Sequence, residues 1–262
     1  MTSMNKLRDK LDTCIIDLTP QNIATYGVCG YKDIRKHAEL RRKIDWFNEY
    51  FPKGLRIKAL LSETCGYQGM LEYIPGEYAH RPVQAEGYML IHCLFVGFKN
   101  EFKHKGYGSA LIDECIKDSK SKDMKGVTVV TRKGPFMAKK DIFLKKGFVL
   151  VDEAEPDFEL LVLKFKQEAI NPKFRRMSTK GYQKGLTIIR SAQCPYSVKN
   201  VEEIVQTAGK LKMEVNVIDL KDSNAVQNVP CAFGTFCIIH EGEIISHHPI
   251  SNTRFINIIK SR

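Results

Sequence analysis

A short basic loop carries residue types that could hold a phosphorylated ligand. Residues 103–109 read Lys-His-Lys-Gly-Tyr-Gly-Ser and follow an apolar run at 91–96, which is typical of a buried strand. Glycine lets a ligand approach the backbone, and the first turn of a helix has free N–H groups. Lys103 and Lys105 add positive charge at the same place. The segment predicts a diphosphate cradle, and the alternative is a solvated turn before a surface helix.

The sequence on either side of this loop predicts the elements that position it. Tyr107, Leu111 and Cys115 share one face of a helix that begins within the loop. Residues 31–51 carry apolar residues at steps of three and four, which predicts a long amphipathic helix. Further strands are predicted at 13–18, 55–61, 67–73, 87–96, 127–131, 149–151 and 159–165.

The order strand, Lys-x-x-Gly-x-Gly and helix resembles the acetyl-CoA-binding segment of the GNAT superfamily of N-acetyltransferases, whose pattern is Arg/Gln-x-x-Gly-x-Gly/Ala. Lys103 replaces the arginine or glutamine, which keeps a cation but loses a planar donor. Residues 141–148 resemble the helix that ends in the superfamily's Lys-x-Gly-Phe turn. The resemblance covers residues 13–166. It implies an α/β (α+β) GNAT fold with a central mixed sheet, and acetyl-CoA as the cofactor.

The resemblance also implies roles for individual residues. Backbone groups of Leu94 and Val96 would face the pantetheine arm and the acetyl oxygen. We predict His92 as the general base, because some arylalkylamine-acetylating relatives carry histidine at this step of the strand, and its pKa range suits the task. The alternative is a hydrogen-bonded histidine in an apolar strand. The residues that would hold the diphosphate are Lys103, Lys105, Gly106, Tyr107, Gly108 and Ser109.

The sequence also contains candidates for binding the acceptor amine and for donating a proton. Residues 74–82 form a proline-glycine turn rich in hydrogen-bonding groups, and such loops often carry specific contacts. The alternative is a polar surface hairpin. Phe143 stands where many superfamily members have a proton-donating tyrosine, so water, solvent or Ser109 would have to supply the proton. The candidates for acceptor recognition are Glu72, Glu77, Tyr78, His80 and Arg81, and Glu72 and Glu77 are alternative bases.

The bulk composition narrows the choice of partners. With 43% hydrophobic and 27% charged residues among 262, the chain has the composition of a soluble globular protein. No apolar run is long enough for a membrane span, and Met1–Lys10 has no apolar signal region, so we expect a cytoplasmic protein without a membrane partner. The net charge of +11 is spread along the chain, so we do not expect nucleic acid as a partner. A homodimer is compatible with the sequence.

A second pattern follows a basic, glycine-bearing linker at residues 169–184. We therefore predict an acetyltransferase domain over 1–168 and a second domain over 185–262. The order of the second domain, βαβαββα, resembles a thioredoxin or glutaredoxin fold. The two domains together resemble the YoaP-type bacterial acetyltransferases. The predicted elements are strands at 186–190, 215–220, 233–239 and 244–247, with helices at 198–213 and 252–261.

Among eight cysteines, Cys194 stands out. Its Cys-Pro-Tyr-Ser segment resembles the monothiol glutaredoxin motif at a helix start, where the dipole favours a thiolate. In such folds the bond corresponding to Val229–Pro230 is usually cis and lies beside the reactive cysteine, which implies Cys231 near Cys194 and a disulfide as a hypothesis. A redox-inert recognition or oligomerisation module is the alternative. No cysteine or histidine spacing predicts a metal site.

Three functions fit these patterns. The first is an acetyl-CoA-dependent N-acetyltransferase that transfers the acetyl group directly to a primary amine of a small molecule or protein. The second is a thiol-redox or redox-regulated protein that uses Cys194. The third is a non-catalytic module that binds CoA or associates with nucleic acid, suggested by Phe143 and the net charge of +11.

Overall fold

The structure is a computed structural model that describes residues 13–31, 33–64 and 66–262. The prediction made for Met1–Lys10 lies outside the described residues. Within the described ranges, no helix combines the length and the apolar character that a membrane crossing requires.

The first domain is built on a mixed sheet of seven strands. They are β1 (Thr13–Leu18), β2 (Arg56–Ser62), β3 (Gly66–Pro75), β5 (Tyr88–Val96), β6 (Gly126–Arg132), β7 (Val149–Ala154) and β8 (Phe158–Lys164), while β4 (Val83–Gln84) lies outside this sheet. The strand order is β1-β2-β3-β5-β6-β8-β7. All neighbours are antiparallel except β5 and β6, which run parallel. This confirms the central mixed sheet that the resemblance implied.

Helices cover both faces of this sheet. They are α1 (Ile23–Tyr26), α2 (Ala38–Tyr50), α3 (Tyr107–Ser121) and α4 (Asp141–Leu144). The buried face of α2 packs over β1, β2 and β3, whereas α3 and α4 pack on the opposite face. Burial of these apolar faces is the main force that holds the layers together.

In the first domain, two predicted helices are longer than the observed ones. The helix predicted over 31–51 begins at Ala38, because the Asp33 carboxylate accepts the backbone N–H of Arg35 at 3.0 Å, a local bond that competes with helix formation. The helix predicted over 141–148 ends at Leu144, and Gly147 leaves the turn with a φ of +85°.

The second domain has the predicted βαβαββα order. Its elements are β10 (Leu186–Ser191), α5 (Val201–Lys210), β11 (Val215–Leu220), α6 (Ser223–Gln227), β12 (Phe236–His240), β13 (Glu243–Ser246) and α7 (Asn252–Lys260). The sheet order is β11-β10-β12-β13, with only β10 and β11 parallel. The interpretation of this domain as thioredoxin-like stays a prediction.

The segment predicted as a linker packs against the first domain. Its two-residue strand β9 (Lys173–Phe174) pairs with β4, and the Tyr88 hydroxyl donates to the Ile170 carbonyl at 2.9 Å. The domain boundaries at 169–184 stay a prediction.

One hydrophobic cluster crosses from the first domain into the second. Leu90, Val130 and Phe158 of the first sheet belong to the same buried cluster as Ile188 and Phe233 of the second domain. The two sheets therefore share part of one core.

Candidate active site

The large sheet opens between its two parallel strands. The pairing of β5 with β6 covers Tyr88–Ile91 on β5 and ends at Ile91 opposite Val129. Beyond that point β5 continues beside β3, and β6 continues beside β8. The edge of β5 over residues 92–96 is therefore left without its parallel neighbour. We call this opening the wedge.

The wedge begins at a β-bulge. On β3 and β5, Glu72 pairs with Cys93 and Tyr73 pairs with Ile91, so His92 has no partner residue across the strands. A bulge bends its strand and redirects side chains, and bulges are common beside active sites. The bulge thus turns the second half of β5 away from β6.

The predicted diphosphate loop leads into α3. Gly106 is the N-cap of α3 with a φ of +84°, and a Cβ added there would meet no atom within 4 Å. The Ala110 N–H is the first in this turn to donate within the helix, to the Gly106 carbonyl at 3.0 Å. The N–H groups of the preceding residues are free for a ligand, as at any helix start. The side chains of Lys103 and Lys105 are exposed beside them.

A close contact joins this loop to the open edge of β5. A Cβ added to Gly108 would lie 2.9 Å from Cδ1 of Ile142 and 3.9 Å from Cγ2 of Val96. Leu94, Val96 and Tyr107 pack against the same hydrophobic cluster as α3. The structure therefore brings the predicted loop and the predicted strand residues together, although their roles toward a ligand stay predictions.

A buried charge network lies under the bulge. Lys43 of α2 forms an ion pair with Glu72 of β3, and both side chains are fully buried. The Glu72 carboxylate also accepts the side-chain amide N–H of Gln193 at 2.6 Å and the Nδ1–H of His92 at 3.1 Å. Burial by itself would raise the pKa of Glu72, but Lys43 and His92 outweigh it and lower the pKa to about 2. Glu72 is therefore a buried anion at neutral pH.

His92 is held by hydrogen bonds on both ring nitrogens. Its Nε2 accepts the backbone N–H of His80 at 2.8 Å, which leaves the proton on Nδ1 for Glu72. Burial lowers the pKa of His92 to about 4, so the ring is neutral at pH 7. The general-base role stays a prediction, and this geometry favours a positioning role, because neither nitrogen faces an open space with a free lone pair.

The acceptor candidates on the loop before β5 separate into two groups. The Arg81 guanidinium donates to the His92 carbonyl at 2.8 Å, and His80 Nε2 accepts the indole N–H of Trp46 at 2.8 Å, so both residues border the bulge. The Glu77 carboxylate instead accepts the backbone N–H of Gly87 at 2.7 Å, at the start of β5. The side chain of Tyr78 is exposed.

The second domain covers the side of the wedge that lies against α2. The Tyr196 ring lies 5.5 Å from Tyr31, which precedes α2, and 6.1 Å from Phe136, which follows β6. Its hydroxyl donates to the Cys29 carbonyl at 3.0 Å. Sequence reasoning missed Lys43, Gln193 and Tyr196. The one available signal was Lys43 on the buried face of α2.

The structure corrects the predictions made for the cysteines. Cys194 precedes a single 3₁₀ turn, Pro195–Ser197, and burial raises its pKa rather than lowering it. Cys194 and Cys231 both carry free thiols in this structure, and a disulfide between them stays a hypothesis. In the described residues the single cis peptide bond joins Glu155 and Pro156, so the expectation of a cis bond at Val229–Pro230 is also wrong.

Two further observations concern the general acid and the possible metal ligands. Phe143 is fully buried with its ring 5.5 Å from that of Phe148, so it offers no proton donor. Across the described ranges, no group of three or more histidine, cysteine or acidic residues could hold a metal ion.

The chain is similar to known proteins in comparisons of sequence. The YoaP-like family matches residues 215–257. The uncharacterized N-acetyltransferase YoaP of Bacillus subtilis strain 168 is 28% identical over 253 residues, which cover 95% of this chain and 99% of that protein.

Two solved structures resemble part of the chain at low sequence identity. The putative acetyltransferase yncA of Salmonella typhimurium with acetyl-CoA is 11% identical with a TM-score of 0.44, covering 61% of this chain and 97% of that one. The PaiA N-acetyltransferase of Thermoplasma acidophilum with coenzyme A is 15% identical with a TM-score of 0.41, covering 58% and 99%. Along nearly its whole length the chain is thus similar to an uncharacterized N-acetyltransferase, and its C-terminal part is YoaP-like.

Proposed function

We propose that the protein transfers the acetyl group of acetyl-CoA directly to a primary amine, and that this amine belongs to a small molecule. The observation that carries the proposal is the wedge between β5 and β6, which opens at the His92 bulge beside the glycine-bearing start of α3. A strand edge without its neighbour and a helix start with free N–H groups provide donors for a thioester and for a diphosphate.

The residues around the loop fit acetyl-CoA. Gly106 leaves open space where a side chain would stand, and the exposed Lys103 and Lys105 flank the free N–H groups of α3. Bound there, acetyl-CoA supplies an activated thioester. Backbone N–H groups of Leu94 and Val96 would stabilise charge on the thioester oxygen, because preorganised donors act most strongly where charge develops.

The chain's own contribution to the reaction is mainly positioning. His92 is neutral and fully hydrogen-bonded, so we assign it to hold the bulge. The attacking amine then reaches the site in its free-base form and bonds to the thioester carbon. The nitrogen loses one of its two protons to solvent, the C–S bond breaks, and the departing CoA thiolate takes up a proton from solvent. Fixing two reactants in one geometry removes a large part of the barrier by itself.

The cover formed by the second domain supports a small acceptor. The Tyr196 ring narrows the approach to the wedge, because it lies between the rings of Tyr31 and Phe136. Its neighbours Pro195 and Ser197 are buried. A flexible small amine passes such an opening more easily than a lysine on a folded protein surface. An amine of a disordered peptide is the competing acceptor.

The test begins with calorimetric binding of acetyl-CoA to the whole chain, followed by thiol release with a panel of amines. The panel contains polyamines, amino acids, arylalkylamines and a lysine-containing peptide. The expected result is acetyl-CoA binding and CoA release with at least one small amine. The control is Gly108→Val, which would clash with Ile142 and should weaken binding. Absence of acetyl-CoA binding overturns the proposal, and turnover with the peptide alone overturns its small-molecule part.

A further inference from the structure

Gln193 of the second domain reaches the buried network under the bulge. It lies between β10 and the Pro195–Ser197 turn and is 3% exposed. Its side-chain amide donates to Glu72 at 2.6 Å, and its backbone carbonyl accepts from Lys43 at 2.5 Å. One residue of the second domain thus contacts both members of the buried ion pair of the first domain.

The contacts continue from Glu72 to the wedge. Glu72 pairs across the strands with Cys93, and its carboxylate accepts from His92, the unpaired residue of the bulge. The opposite side of the His92 ring is fixed by the His80 N–H, and the His92 carbonyl is fixed by Arg81. These hydrogen bonds hold both ring nitrogens and the carbonyl of His92 in one orientation. That orientation depends on the Glu72 carboxylate, to which the Gln193 side chain also donates.

We infer that Gln193 is a positioning residue for acetyl transfer: it orients the Glu72 carboxylate, and through it the His92 bulge at the start of the wedge. This inference rests on the proposed function. It makes the second domain a part of the acetyl-transfer site, although no atom of Gln193 needs to touch either substrate. A buried carboxylate that loses one of its donors reorients or takes up a proton, because an unsatisfied buried anion is costly.

The variant Gln193→Leu tests the inference with a matched control. Leucine keeps most of the volume and the backbone carbonyl but removes the amide donor to Glu72. The control, Gln227→Leu, removes another buried glutamine of the second domain, one that donates to the Glu77 and Ala79 carbonyls of the first domain at 3.1 and 3.2 Å. Gln227 docks the two domains and touches neither Glu72, Lys43 nor the His92 side chain; it meets the Ala79–His80 peptide group through the Ala79 carbonyl alone.

The expected result separates catalysis from binding and from stability. For Gln193→Leu we expect kcat to fall by about tenfold or more, equivalent to ~1.4 kcal/mol in the barrier, with the Kd for acetyl-CoA nearly unchanged. For Gln227→Leu we expect lower stability with kcat retained. If Gln193→Leu does not fold, Gln193→Asn keeps the amide on a shorter side chain and should show the same kcat loss.

A second readout keeps the inference distinct from the proposed function. Nitrogen NMR of the histidine rings should show His92 as the neutral Nδ1–H tautomer in the parent protein and in Gln227→Leu, and a changed His92 signal in Gln193→Leu. An unchanged His92 signal together with an unchanged kcat overturns the inference. If acetyl-CoA does not bind at all, the proposed function fails, whereas the NMR comparison still decides whether Gln193 positions His92.

A separate thiol cluster lies away from the wedge. The Cys231 sulfur lies 3.3 Å from Nδ1 of His247, and Cys231 and Cys237 are both buried, with 2% and 1% of their surface exposed. Burial by itself would raise the pKa of Cys231, but the bonds from Cys237 and His247 outweigh it and lower the pKa. Pro230 and Ala232, the neighbours of Cys231 in sequence, line a cleft of about 920 Å³.

We propose that Cys231 is an oxidation site for hydrogen peroxide and that Cys237 is its resolving thiol. The Cys231 thiolate attacks one peroxide oxygen, the O–O bond breaks, and hydroxide leaves and takes up a proton to form water. The resulting sulfenic acid is attacked by the Cys237 thiol, which forms the S–S bond and releases a second water. One peroxide is thereby reduced to two waters while two thiols are oxidised to a disulfide.

Mass spectrometry of the whole chain after peroxide treatment tests this site. We expect a Cys231–Cys237 disulfide in the parent protein, a dimedone-trapped sulfenic acid at Cys231 in Cys237→Ser, and slower oxidation in His247→Asn. The internal control is Cys115, a buried cysteine whose pKa is raised by burial, which should stay reduced. Equal resistance of Cys231 and Cys115 to peroxide overturns the proposal, as does oxidation of Cys231 that is indifferent to His247→Asn.

Discussion

The buried ion pair beneath the bulge gives the sharpest stability prediction. Lys43→Met removes the cation that faces Glu72 and leaves a fully buried carboxylate. The lowering of the Glu72 pKa from 4.5 to about 2 corresponds to about 3 kcal/mol at ~1.4 kcal/mol per tenfold change. Removing one partner of a buried pair generally costs about 3–5 kcal/mol. The two magnitudes agree, so we expect Lys43→Met to lower the free energy of unfolding by about 3–5 kcal/mol.

Urea unfolding followed by circular dichroism at pH 7 measures this loss. The control is Lys53→Met in the turn that follows the same helix, because Lys53 makes an exposed pair with Glu49 that should contribute about 1 kcal/mol or less. The double variant Lys43→Met/Glu72→Gln removes both charges and should recover more than half of the loss, since a neutral amide is far less costly to bury than an unpaired carboxylate. A Lys43→Met loss below about 1 kcal/mol, or a double variant no more stable than the single one, refutes the reasoning.

The pH dependence gives a further check on the same pair. The pKa of Glu72 is lower in the folded state, so its stabilising contribution is complete above pH 4.5 and is lost as the pH falls toward 2. In Lys43→Met, burial dominates and raises that pKa, so acidification should protonate Glu72 and reduce the difference from the parent protein. A difference that grows on acidification would contradict the assignment.

Four shorter predictions follow from other parts of the structure. Gly106→Ala should weaken acetyl-CoA binding by about tenfold or more in calorimetry, while its left-handed backbone costs only about 1–2 kcal/mol of stability in urea. Phe143→Tyr should leave kcat no higher, because the new hydroxyl is buried in the core, and a large gain in kcat would show that a missing acid limits the rate. Cys194 should react with iodoacetamide at pH 7 more slowly than the exposed Cys14, and the reverse order in peptide mapping would contradict the raised pKa. Because burial lowers the pKa of His92 to about 4, the pH profile of kcat/KM should have no inflection near 6.5 that depends on His92. An inflection near 6.5 that disappears in His92→Gln would instead establish His92 as the base.

Local patterns allowed much of the fold to be predicted. The run at 91–96 and the two glycines after it predicted β5 and the start of α3, because strand composition and helix starts depend on neighbouring residues. Strand β11 was predicted with its observed bounds, Val215–Leu220, since its alternating apolar residues stand between clear turns. The wedge itself was not predicted, because strand divergence depends on pairing partners far away in sequence.

The network under the bulge could not be predicted from the sequence. Gln193 and Glu72 are 121 residues apart, and no local pattern indicates that an amide in a turn will meet a carboxylate on a strand. His92 was predicted as a base from its position, but its state depends on burial and on a backbone N–H from His80. The helix predicted over 31–51 was too long, since a single aspartate at Asp33 redirects the chain before α2.

The hydrophobic cluster that crosses between the two domains has a practical consequence for dissecting the protein. A truncated chain that stops near residue 184 would expose the surface formed by Leu90, Val130 and Phe158 to water. Such a fragment is expected to aggregate or to need detergent during purification, as proteins with large apolar patches do. The function of each domain is therefore tested with point substitutions in the intact polypeptide rather than with the two domains expressed separately.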